Sequence, residues 1–107
     1  MTEQTENKTS TPDVTFILQN VLGCKWTLHI LEEIRNGNCR PGKLSRSADG
    51  LTTKVMNERL VKLVRFDILK KVSYPEVPPR VEYELTVFGE KFTRLLDEVQ
   101  RLQDELD

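Results

Sequence analysis

Apolar side chains recur at helical spacing through the first third of the chain. Val14, Ile17, Leu18, Val21 and Leu22 share one face behind Asp13, whose carboxylate suits a helix N-cap. Gly23 interrupts this stripe. Trp26, Ile30, Leu31 and Ile34 then form a second one in "CKWTLHILEEIRNG", where Gly37 after Asn36 marks a stop. "CRPG" reads as a turn, and a short helix from about Lys43 to Ser47 can bury Leu44 before "ADG" turns the chain again. Thr52 is the N-cap of a third long helix, "TKVMNERLVKLVRF", with Met56, Leu60, Leu63 and Val64 on its buried side. At about 100° per residue, Lys54, Glu58, Lys62 and Arg65 fall on the opposite side.

The period then changes from helix to strand. In "RVEYELT", Val81, Tyr83 and Leu85 alternate with Arg80, Glu82 and Glu84, so this segment and "ILKKVSY" predict a hairpin joined by "PEVPP". Proline fixes φ and donates no ladder hydrogen bond, so Pro75, Pro78 and Pro79 end the pairing and stiffen the tip. From Thr86 a helix runs to the end of the chain. Phe88, Phe92, Leu95, Val99, Leu102 and Leu106 follow one another at steps of 4, 3, 4, 3 and 4, an a/d seam. Such a seam is nearly 30 Å long, more than a small domain needs for its own core. A second copy of the chain is the expected cover, the N-terminal helix the intrachain alternative.

Composition bounds the function. The 107 residues suit one domain, and 37% hydrophobic residues suffice for a core. No apolar run approaches the ~20 residues of a membrane span. "MTEQTENKTSTPD" is polar and free of aromatics, so residues 1–12 are expected to be a disordered tail rather than a signal peptide, ahead of a domain at 13–107. Two cysteines without an export signal point to a reducing, cytoplasmic setting. The net charge of −1 conceals an asymmetry. Residues 40–71 carry nine basic side chains against three acidic, whereas residues 72–107 carry four against nine. The basic middle is the footprint of a polyanion-binding surface.

Together these elements predict an α+β, mostly helical fold: a winged helix-turn-helix with a two-stranded wing. The helix-turn-helix falls at about 43–66, the wing at 68–86 and a long dimerisation helix at 87–106. Thr52, Thr53, Lys54 and Asn57 occupy the first turns of the basic helix, where short polar groups reach base edges, and Glu58 can accept from a cytosine amino group. Lys43, Arg46, Lys62 and Arg65 suit phosphates, and Arg80 suits the minor groove, while Glu76 beside it is repelled by phosphate. No Ser-His-Asp set, glycine-rich phosphate loop or paired acids mark an enzyme. His29, Cys24 and Cys39 lack metal-ligand spacing, so neither metal nor cofactor is expected.

Three stretches sharpen this: "VLGCKWTLHILEEIRNGNCRPGKL", "GLTTKVMNERLVKLVRFDILKK" and "YPEVPPRVEYELTVFGEKF". Over roughly residues 14–96 the chain resembles the HxlR family of winged-helix transcription regulators. The resemblance implies a bacterial or archaeal homodimer on a roughly palindromic operator in double-stranded DNA, joined through its terminal helices. It departs from the family pattern at Cys24, where a second glycine is usual. "STPDVTF" also lacks the cysteine to which the family's redox sensors look. Cys24 and Cys39 stay candidates for a thiol-based response, at opposite ends of what the pattern makes one helix. A protein-interaction module and a regulator answering to a small molecule are the other readings of the same fold.

Overall fold

Side-chain caps set where the helices begin. In the computed structural model, which describes residues 13–107 and so leaves the expected tail at 1–12 outside the described residues, Asp13 accepts the Phe16 N–H at 2.8 Å and opens α1 (Val14–Gly23). Helix α2 (Thr27–Arg35) begins later than its apolar stripe suggests, because Trp26 is left-handed at φ 78° and breaks the chain between the two helices. Both cysteines therefore lie outside α2, not on a single long helix. Helix α3 (Pro41–Leu44) starts ahead of the predicted Lys43. Proline suits a first helical turn, since its φ is preset and its missing N–H would have no helical partner. Helix α4 (Thr53–Arg65) is capped by the Thr52 hydroxyl, which accepts the Val55 N–H at 3.1 Å. The hairpin follows as β1 (Leu69–Tyr74) and β2 (Arg80–Leu85), antiparallel, with Leu69 opposite Leu85 and Tyr74 opposite Arg80. Helix α5 (Val87–Leu106) is capped by Thr86, whose hydroxyl accepts the Gly89 N–H at 2.8 Å.

The core lies where α1, α2, α4 and the wing meet. Ile17 and Val21 come from α1, Ile30, Leu31 and Ile34 from α2, and Met56, Leu60 and Leu63 from α4. Tyr83 closes it from β2. Val64, expected in this layer, is 37% exposed at its edge. Two backbone contacts orient the wing. The Tyr83 N–H donates to the Cys39 carbonyl at 2.9 Å, fastening β2 to the segment that enters α3. The Thr86 N–H donates to the Ile68 carbonyl at 3.0 Å, so the start of α5 lies on the start of β1. Gly89 makes that approach feasible, because a Cβ there would stand 2.0 Å from the Ile68 carbonyl oxygen.

The seam of α5 divides where the helix leaves the domain. Phe92 is only 2% exposed and Phe88 packs beside it against the core, so Phe92 is covered within its own chain rather than available to a partner. Beyond them Leu95, Leu102 and Leu106 are 40%, 63% and 81% exposed, and α1 does not cover them. Arg35 of α2 fixes the direction of this projecting half, its Nη1 and Nη2 each 2.9 Å from an Asp97 oxygen. That guanidinium holds the Asp97 carboxyl below the usual carboxylate range, chiefly through the hydrogen bond, which outweighs an opposing desolvation and is helped by its charge.

Candidate nucleic-acid interface

The outer face of α4 follows from its inner one. With Met56, Leu60 and Leu63 buried, the 3.6-residue period turns Thr53, Lys54, Asn57, Glu58, Val61 and Arg65 outward. Lys54 and Arg65 make no ion pair among the described residues, and the solvated strip is open to a ligand. Val61, 55% exposed, sits amid these polar groups and was not a sequence candidate. Its signal was there in the wheel: it lies about 20° from Lys54 and about 40° from Arg65, and a methyl-bearing side chain can meet a thymine methyl.

Lys62 is placed differently from its neighbours. It is half-buried and turned to α1, with Nζ 3.1 Å from Asn20 Oδ1 and 3.9 Å from Cys24 Sγ. At 80° from Lys54 it is on the flank of the helix, where the adjoining helix captures it. Arg59, on the same side, donates to the Lys25 carbonyl at 3.0 Å. These two side chains fasten α4 to the α1–α2 corner.

Helix α3 is held in register by a histidine. Ser47 Oγ donates to the Leu44 carbonyl at 2.6 Å, which uses its only proton. His29 Nε2, 2.8 Å from the same oxygen, must therefore carry the hydrogen of that contact. The lone histidine thus links α2 to the turn between α3 and α4. Lys43 and Arg46 are exposed on that short helix and the turn behind it.

A cleft of about 470 Å³ separates α3 from the wing, with Arg40, Lys43, Arg46 and Arg80 among its walls. Arg80 is engaged inside the wing. Its guanidinium lies 4.0 Å from the centre of the Tyr74 ring, the residue directly opposite it in the hairpin. Nη2 reaches Glu76 at 3.0 Å and Nη1 reaches Glu82 at 3.2 Å. The expected minor-groove arginine is therefore held by two acids, Glu82, read from the sequence as an alternating strand position, and Glu76, read only as a charge that phosphate repels. Glu82 Oε2 also accepts from Arg40 Nε at 3.2 Å.

The two thiols differ in surroundings. Burial pushes the Cys39 thiol above its ordinary value, and the Glu82 carboxylate raises it further; the Arg40 charge and a backbone contact offset this only in part. Cys24 instead faces the Lys62 ammonium.

Residues 21–106 match the model of the HxlR-like helix-turn-helix family. An uncharacterised HTH-type transcriptional regulator of Synechocystis is 36% identical over 83 residues, covering 78% of this chain and 62% of that protein. YtcD of Bacillus subtilis, also an HTH-type transcriptional regulator, is 34% identical over 77 residues, 72% of this chain and 61% of its own. The chain thus spans about six-tenths of the length of these curated relatives. Among solved structures, a transcriptional regulator described as of the MarR family from Enterococcus faecalis superposes with a TM-score of 0.77 at 30% identity, over 94% of this chain and 93% of that one. YodB of Bacillus subtilis in its reduced form gives 0.72 at 26% identity, over 80% and 84%.

Proposed function

Since the chain belongs to the HxlR-like helix-turn-helix family, we propose that it is a transcriptional regulator that binds duplex DNA sequence-selectively, as a homodimer on a roughly palindromic operator. The observation that carries this reading is the outer face of α4, polar and basic, exposed along its length and flanked by the wing. In the major groove Thr53, Lys54 and Asn57 meet base edges, with Thr52 at the helix entrance and Glu58 placed for a cytosine amino group. Val61 adds an apolar contact. Lys43, Arg46 and Arg65 hold phosphates and set register. Lys62 acts one step back, by fixing α4 against α1.

The dimer contact falls to the projecting half of α5. Leu95, Val99, Leu102 and Leu106 continue the seam beyond the core, and an open groove of about 410 Å³ runs beside it, with Leu96 and Val99 of α5 facing Leu22, Leu28 and Leu31. Pairing two such helices covers surface that costs free energy in water and sets two α4 helices about one DNA turn apart, near 34 Å, or further. Gel-shift or anisotropy titration against DNA upstream of the chain's own gene, beside a random duplex, tests the reading. Selective binding that falls steeply with salt supports it; equal, weak binding to both contradicts it.

A thiol-responsive form of the same regulator is favoured at Cys24 by its Lys62 neighbour, and disfavoured at Cys39 by burial and Glu82. Alkylating Cys24 removes the Lys62 contact and so disturbs the seat of α4. Loss of DNA binding on stoichiometric alkylation, absent in Cys24→Ser, is the expected result.

A further inference from the structure

The cleft between α3 and the wing bears on which arginine meets DNA, a question that rests on the DNA-binding reading above. We propose that Arg40, not Arg80, is the contact this cleft makes with a backbone phosphodiester, and that Arg80 is a positioning residue holding Arg40 through the Glu82 carboxylate.

The nitrogens of the two guanidinium groups are used differently. Arg80 has Nη1 on Glu82, Nη2 on Glu76 and its face on Tyr74, while Nε is buried without a partner among the described residues. To reach a phosphate it must leave two carboxylates and an aromatic ring. Arg40 gives Glu82 only Nε, so the edge formed by Nη1 and Nη2 has no partner among the described residues. That edge matches the spacing of two phosphate oxygens. The Arg40 side chain is 48% exposed against 29% for Arg80.

Arg40 is also held at two points. Its side chain is on Glu82, and the carbonyl of the residue before it receives the Tyr83 N–H at 2.9 Å. Glu82 is itself only 15% exposed and bonds both arginines through the same oxygen, Oε2. Arg40 and Arg80 repel each other, and the shared carboxylate lets them stand together with the wing closed on α3. Lys43 and Arg46 line the same cleft, so an anion entering it meets a net positive wall despite Glu82.

Salt titrations of Arg40→Gln, Arg80→Gln and the double variant, on operator and random duplexes, test the assignment. Arg40→Gln is expected to weaken both complexes about fivefold per protomer at 0.15 M salt and to lower the salt slope by about one unit per protomer. Arg80→Gln alone weakens binding, but in the Arg40→Gln background it costs less than about twofold more. An unchanged slope for Arg40→Gln, or a further unit lost on adding Arg80→Gln, overturns the assignment while leaving the regulator reading intact. A wild type that binds no duplex selectively overturns the regulator reading itself. Arg40 is exposed, so its variant remains informative if Arg80→Gln loosens the wing. Inorganic phosphate at constant ionic strength is expected to leave the wild-type complex unchanged; selective loss of the Arg40-dependent part would assign the cleft to a free phosphate instead.

Discussion

Single side chains decide how tightly the wing, the helix-turn-helix and the last helix are set against one another. Gly89 is the sharpest case. A methyl group there would stand 2.0 Å from the Ile68 carbonyl oxygen, a backbone atom that cannot rotate away. Gly89→Ala is expected to destabilise the fold by about 3 kcal/mol, read from denaturant titration; a loss within about 0.5 kcal/mol would show that α5 and β1 separate easily. Cys39 gives a second expectation. With its thiol raised by burial and by Glu82, the reactive thiolate is scarce at neutral pH. Its alkylation by iodoacetamide should be slower than that of a free thiol at pH 8 and should keep climbing above the range where a free thiol levels off. Glu82→Gln removes one of the two causes and is expected to speed the reaction. Equal rates for Cys39 and a free thiol would contradict this environment. Some residues could not be read correctly from the sequence, because their partners are distant in it. Arg80 lies four residues from Glu76 but meets Tyr74 only through the hairpin, and Lys62 meets Asn20 only through the packing of α4 on α1.

At the scale of elements, caps and periodicity carry far. Asp13, Thr52 and Thr86 are caps by residue type and perform that role. The strand alternation Val81, Tyr83, Leu85 matches the face that packs on the core. Boundaries fail where backbone conformation overrides side-chain pattern: Trp26 is left-handed despite its place in an apolar stripe, and Pro41 starts α3 ahead of the predicted position. The heptad pattern was read as one seam because spacing alone cannot tell a core neighbour from a partner helix. The fold assigns Phe88 and Phe92 to the core and leaves Leu102 and Leu106 outside. Replacing Leu102 and Leu106 by Glu is therefore expected to leave the monomer fold intact and weaken self-association at least about tenfold, measured by sedimentation. A dimer of unchanged affinity would place the interface elsewhere. The Arg35–Asp97 pair bears on the same helix. Asp97 is depressed in the folded state, so its contribution is present above the ordinary carboxylate range and lost as pH falls through the lower folded value. Asp97→Asn should lower the melting temperature at pH 7, with the gap from wild type closing under acid. A gap independent of pH would mean that the ion pair does not orient α5.

For the molecule as a whole, the charge asymmetry becomes spatial. The basic middle of the chain forms α3, α4 and the start of the wing, while the acidic excess lies on the rest of the wing and on α5. Several basic groups are spent on internal partners, among them Arg59, Lys62 and Arg80, so charge counting overstated the surface left for DNA. What remains exposed includes Lys43 on α3, Arg46 in the turn behind it, Lys54 and Arg65 on α4 and Lys71 on β1, with Arg40 at the entrance of the cleft. If this face reads DNA sequence, as proposed, its base-contacting and phosphate-contacting residues separate when operator and random duplexes are compared. The most direct measurement is the affinity of wild type and Asn57→Ala for operator and random duplexes across a salt series. Selective wild-type binding with a steep salt dependence is expected. Asn57→Ala should lose about 1–3 kcal/mol on the operator, little on random DNA, and keep its salt slope. Equal losses on both duplexes, or a wild type that cannot tell them apart, would contradict it.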